Sequence, residues 1–74
     1  MKTDEIGSLI KQRRIVLGLT IRDLAELTGM SKTTISQIEL GKSNPTFEVL
    51  RSILEYLNLE IKVEVKKTEI KEYE

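Results

Sequence analysis

The chain has no cysteine, no histidine and no tryptophan, a single proline, and only two tyrosines and one phenylalanine among its 74 residues. Without Cys or His, disulfides, the usual zinc ligands and the commonest nucleophile–base pairings are excluded. The remaining carboxylates, hydroxyls, lysines and tyrosines form no recognisable nucleophile–base spacing, and no glycine-rich phosphate loop is present. The expectation is a protein that is not an enzyme and holds no metal and no cofactor. No apolar run approaches the ~20 residues needed to cross a bilayer, and the N-terminus lacks the apolar core of a signal peptide. That leads to a soluble, cytoplasmic protein with no membrane partner, and the missing Cys agrees with a reducing compartment. Net charge is lacking too, with 12 Lys/Arg against 12 Asp/Glu. Such a balance argues mildly against a nucleic-acid partner. Its distribution softens the objection, because residues 1–51 sum to +2 and residues 52–74 to −2.

A chain of this length makes one small domain, near the lower limit of independent stability. Below about 80 residues a staple is usual, and with metals and disulfides gone, oligomerisation is what remains.

What is present is helical punctuation. Thr3 or Asp4 is placed to cap a first helix, with Ile6, Leu9, Ile10 and Leu17 as its apolar stripe and Gly18 as its end. Thr20 caps a second, with Asp23 three residues on as capping-box partner and Ile21, Leu24, Ala25 and Leu27 turned inward. Gly29 sits where a left-handed terminating residue is wanted. Ser31 caps a third helix with Ile35 and Ile38 buried, and Gly41 closes it. Lys42-Ser43-Asn44-Pro45 is a turn. Thr46 caps a fourth helix whose inward side is Phe47, Leu50, Ile53, Leu54 and Leu57, stopping at Asn58.

After Asn58 the period changes from helical to alternating. Leu59-Glu60-Ile61-Lys62-Val63-Glu64-Val65-Lys66 alternates apolar and charged residues without a miss, as a half-buried strand does. No second strand of that quality exists in the chain, and a lone strand edge invites pairing with another molecule. The economical partner is the same strand of a second copy across a two-fold axis. The alternative is that the strand packs back on its own helices. The expected organisation is a helical domain over 1–58, a dimerisation strand over 59–66 built on Leu59, Ile61, Val63 and Val65, and a polar tail over 67–74.

The stretch from Thr20 to Gly41 holds the function. Two short helices joined by a tight turn cross steeply, and the second can stand proud of the domain. A proud helix fits a DNA major groove, and this one carries Lys32, Thr33, Ser36 and Gln37 on its outward side. Lys donates to guanine, Gln binds adenine through two hydrogen bonds, and Thr offers a hydroxyl and a methyl. The plain alternative is that these are ordinary solvated helix residues, and that Lys42-Ser43-Asn44 is a turn and nothing else.

Taken with Lys11-Gln12-Arg13-Arg14, Leu17-Gly18-Leu19-Thr20, Asp23-Leu24-Ala25, Gly29-Met30-Ser31, Ile35 to Gly41 and Pro45-Thr46, the chain resembles the lambda-repressor/Cro-like (XRE-type) helix-turn-helix family of bacterial and phage regulators. The likeness spans roughly residues 6–57. It implies a mainly α, four-helix DNA-binding domain, with Lys32, Thr33 and Gln37 at base-reading positions and Ser36 beside them. Phosphate contacts are implied at Thr20, Ser31, Lys42, Ser43 and Asn44. Arg14 and Glu39 match a family pair tying the first helix to the recognition helix. The pattern departs at Ile21, where many members carry a Gln that contacts DNA backbone and orients a neighbour; Thr20 or Arg22 is left to replace that contact.

The helical domain followed at once by Leu57-Asn58-Leu59-Glu60-Ile61 looks like the antitoxin of the Hip-type (high-persistence) toxin–antitoxin pair. That subgroup implies a strand-paired homodimer on a palindromic operator, repression of its own operon, and a serine/threonine kinase toxin as second partner. A stand-alone phage or bacterial repressor is the alternative. A protein-bridging module on the same fold and a regulatory piece of a larger enzyme are the other classes.

Overall fold

The computed structural model describes residues 2–63 and 65. They form four helices in the order α1 Thr3–Val16, α2 Ile21–Thr28, α3 Lys32–Glu39 and α4 Phe47–Tyr56. Helix α1 packs on α3, α3 on α2, and α2 on α4. The fully buried side chains Ile10, Leu24, Ile35, Ile38, Ile53 and Leu57 bring all four elements to one core. Each fully buried aliphatic contributes about 1.5–3 kcal/mol relative to exposure.

The caps follow side-chain chemistry. The Thr20 hydroxyl accepts from the Asp23 N–H at 2.9 Å while the Asp23 carboxylate accepts from the Thr20 N–H at 2.8 Å. Ser31 Oγ accepts from Thr34 N–H at 3.0 Å, and Thr46 Oγ1 from Val49 N–H at 3.2 Å. Gly29 ends α2 at φ 77°, a left-handed conformation that most residues avoid. The first cap is different from expectation. Lys2 is the N-cap and Thr3 the first helical residue, because Glu5 reaches back to accept the Lys2 N–H at 3.0 Å.

The inward stripes are narrower than periodicity suggested. On α1 the buried positions are Gly7, Ile10 and Arg14, so Leu9 and Leu17 turn out, 43 % and 41 % exposed. On α2 burial narrows to Leu24 and Ala25, with Ile21 half-buried and Leu27 on the flank. Phe47 is 61 % exposed. It lies on the same stripe as Leu50 and Leu54, but only the later turns of α4 meet a partner closely enough to bury Ile53, Leu54 and Leu57.

Beyond Asn58, which takes φ 61°, Leu59 donates its N–H to the Leu54 carbonyl at 2.9 Å and packs on the core. No strand occurs among the described residues, and a ladder needs a second strand to pair with. Beyond Leu59 exposure rises along the segment, from 38 % at Ile61 to 94 % at Val63 and 99 % at Val65. Glu64, Lys66 and the 67–74 tail lie outside the described residues.

Gly7 explains how α1 comes so close to α3. A Cβ there would meet the carbonyl oxygen of Ile38 and lie 2.6 Å from that of Glu39, both backbone atoms unable to yield. Gly7→Ala is therefore expected to cost about 1–3 kcal/mol despite alanine's better helix propensity, as overpacking does. Thermal melts should show a clear drop for Gly7→Ala and none for Ser8→Ala on the exposed side of the same helix; equal melting points would refute the close approach.

Candidate nucleic-acid interface

Helix α3 is two-faced. Ile35, Ile38 and Glu39 are buried, whereas Lys32 and Thr33 are exposed and Ser36 and Gln37 half-buried on the other side. Its first turn carries no acidic residue, unlike α1, α2 and α4, so the positive end of its dipole meets no local carboxylate. An open depression outside α3 is lined by Ile21, Lys32, Thr33, Ser36 and Gln37. A second, adjoining it at Lys32, is lined by Arg22, Ser31 and Lys32 together with Glu26 and the turn. The four expected base readers thus share one concavity, and two of the expected phosphate contacts border the next.

Thr20 is exposed, and its hydroxyl oxygen accepts the Asp23 N–H at 2.9 Å. Asp23 faces it, and the Thr20 backbone and side-chain hydrogen bonds hold its carboxyl below the usual carboxylate range. The cap is charged at neutral pH.

Lys42, Ser43 and Asn44 lie at the other end of α3, where Lys42 N–H donates to the Gln37 carbonyl at 2.9 Å. Together with Thr3 and Gly41 they line a third depression. Gly41, at φ 73°, is pressed against the Asp4 backbone, where a Cβ would come within 2.6 Å of the Asp4 Cα. The start of α1 thereby joins the loop. Thr3 was not foreseen in this place, since in sequence it reads only as a helix start.

Behind the interface sits Arg14. Its Nε and Nη2 donate to the two Glu39 carboxylate oxygens at 2.6 and 3.0 Å, and its Nη1 donates to the Leu19 carbonyl at 2.8 Å. Both side chains are under 10 % exposed. The Glu39 hydrogen bond, aided by its charge, raises the Arg14 pKa against the opposing effect of burial. Arg13 next to it donates through Nε to the Leu57 carbonyl at 2.8 Å, joining α1 to the end of α4. Among the described residues no buried side-chain polar atom lacks a hydrogen-bond partner, no group of acidic side chains converges as a metal site, and no helix is long and apolar enough to cross a membrane.

A sequence model of the Helix-turn-helix family (HTH_3) matches residues 10–63. The ImmF control region 10 kDa protein of Bacillus phage phi105 is 38% identical over 66 residues, covering 89% of this chain and 72% of that protein. The HTH-type transcriptional regulator SutR of Escherichia coli is 39% identical over 54 residues, 73% of this chain and 30% of the longer regulator. Among solved structures, the restriction-modification controller protein C.Esp1396I, as a tetramer with its natural 35 base-pair operator, superposes with a TM-score of 0.72 at 31% identity, covering 78% of this chain and 76% of that one. The controller protein C.AhdI of Aeromonas hydrophila shares the fold, with a TM-score of 0.74 at 22% identity over 78% of this chain and 88% of its own. The chain belongs to the HTH_3 (XRE-type) helix-turn-helix family of transcriptional regulators.

Losing one partner of the Arg14–Glu39 pair strands the other charge in the interior. Arg14→Met alone should cost about 3–5 kcal/mol, and Arg14→Met with Glu39→Leu much less. A urea-unfolding double-mutant cycle reads the difference; additive losses would show that the pair is not coupled.

Proposed function

We propose that the protein is a sequence-specific DNA-binding repressor that acts as a homodimer. One observation carries the reading: α3 buries Ile35 and Ile38 and turns Lys32, Thr33, Ser36 and Gln37 into a single concave surface. Its likeness to a controller protein solved on its natural operator supports the same use of that surface. In this reading α3 enters the major groove. Lys32, Thr33, Ser36 and Gln37 contact base edges, and Thr20, Arg22, Ser31, Lys42, Ser43 and Asn44 contact phosphates. The exposed Phe47, Ile61 and Val63 border one apolar groove with Leu54 and Leu59, which suits a second copy paired through Leu59, Ile61, Val63 and Val65. Two-fold symmetry then asks for a palindromic operator with half-sites about 34 Å, or a multiple, apart.

Two finer readings divide on the partner. Similarity over 89% of the chain to a protein of a phage control region favours the stand-alone regulator. The alternating segment at 59–66 favours the Hip-type antitoxin, which would also bind a serine/threonine kinase. A kinase-like gene directly beside this one supports the antitoxin, and its absence the stand-alone regulator.

Selection from random DNA supplies the operator for the principal test. Gln37→Ala should lose about 5- to 150-fold on that operator, the equivalent of one good base contact, with nearly unchanged binding to random DNA. Lys42→Ala should weaken both alike and flatten the salt dependence by about one unit of slope. Equal losses on both DNAs for Gln37→Ala would sink its base-reading role. For the dimer, Val63→Glu is expected to shift sedimentation towards a single chain without lowering helicity, and a parent protein that sediments as one chain contradicts the pairing.

A further inference from the structure

Ile21 stands where the family pattern and the surface chemistry disagree. It is the first residue of α2, held in place by the Thr20–Asp23 capping box that brackets it. One side of it packs against the core, and the other lines the depression formed with Lys32, Thr33, Ser36 and Gln37. Every other side chain in that lining is polar. Ile21 is therefore the one aliphatic element of the surface.

An aliphatic group inside a polar reading surface discriminates by what it refuses. A base-edge donor or acceptor pressed against it loses water and gains no partner, which is costly. In the major groove of unmodified DNA the one apolar substituent is the C5-methyl of thymine. The Thr33 methyl in the same lining extends the apolar area. A β-branched side chain in a helix is also nearly fixed at χ1, so Ile21 presents its methyls with little entropy to lose. A glutamine at this place would hydrogen-bond and could not act in that way.

We propose that Ile21, seconded by Thr33, is a specificity-determining residue that reads the methyl group of one thymine in each operator half-site. This rests on α3 docking in the major groove. The occupant is a T·A base pair, recognised by shape and apolarity where Gln37 and Lys32 recognise by hydrogen bonds.

The experiment uses the full chain and the operator obtained by selection. Each thymine is replaced in turn by deoxyuridine, which removes only the methyl and leaves the pairing with adenine intact. One position per half-site should weaken binding about fourfold, the worth of burying one methyl-sized group. The same replacement should cost Ile21→Ala clearly less, leaving only the share that Thr33 contributes. Because Ile21 also touches the core, Ile21→Gln serves as the second variant: it too should show a smaller deoxyuridine penalty at that position than the parent. Thermal melts report whether each variant is folded. If the protein selects an operator, but every deoxyuridine penalty is the same for parent and variants, the thymine reading is wrong while the DNA-binding reading stands. If no operator is selected at all, both fall.

Discussion

One buried guanidinium holds the front of this molecule in register. Arg14 spends its donors on Glu39 of α3 and on the Leu19 carbonyl, just ahead of α2, so a single side chain of α1 reaches both halves of the helix-turn-helix. Hydrophobic contact alone would let short helices of eight residues slide and roll on one another. A forked charge–charge contact at under 10 % exposure does not slide, since any displacement leaves a charge in the interior without its partner. Gly7 and Gly41 work with it. The first lets the α1 backbone lie against the end of α3, and the second admits the α1 start beside the loop that follows. The depth and tilt at which α3 stands out from the body follow from these contacts.

The parts legible in the sequence were those governed by local chemistry. Thr20, Ser31 and Thr46 announce themselves as caps because a hydroxyl facing the third residue onward is a local arrangement. Gly29 does so because the chain has to reverse there. The polar side of α3 was equally readable, since Ile35 and Ile38 settle which side is buried. Arg14 and Glu39, 25 residues apart, carry no local sign of one another; only the family pattern suggested them.

Apart from the first cap, which shifts to Lys2 through the local Glu5 hydrogen bond, the departures come from the length or position of a partner. Leu9, Leu17, Leu27 and Phe47 obey helical spacing and are nonetheless exposed, because periodicity gives the direction of a stripe and nothing about how far the neighbouring helix covers it. Gly7 carries no local sign of its place, although a Cβ there would strike the backbone at the end of α3. Helical spacing puts Ile21 on the inward side, which is half of its position; that it also borders the polar depression becomes visible only when α2 and α3 are set side by side.

The junction after α4 is unusually short. Asn58 alone separates Leu57, the end of that helix, from Leu59, and Leu59 is itself pinned by the Leu54 carbonyl and by the core. An attachment made through Leu59 would therefore bear directly on the core and on the last turn of α4, with one residue of chain between it and the helix.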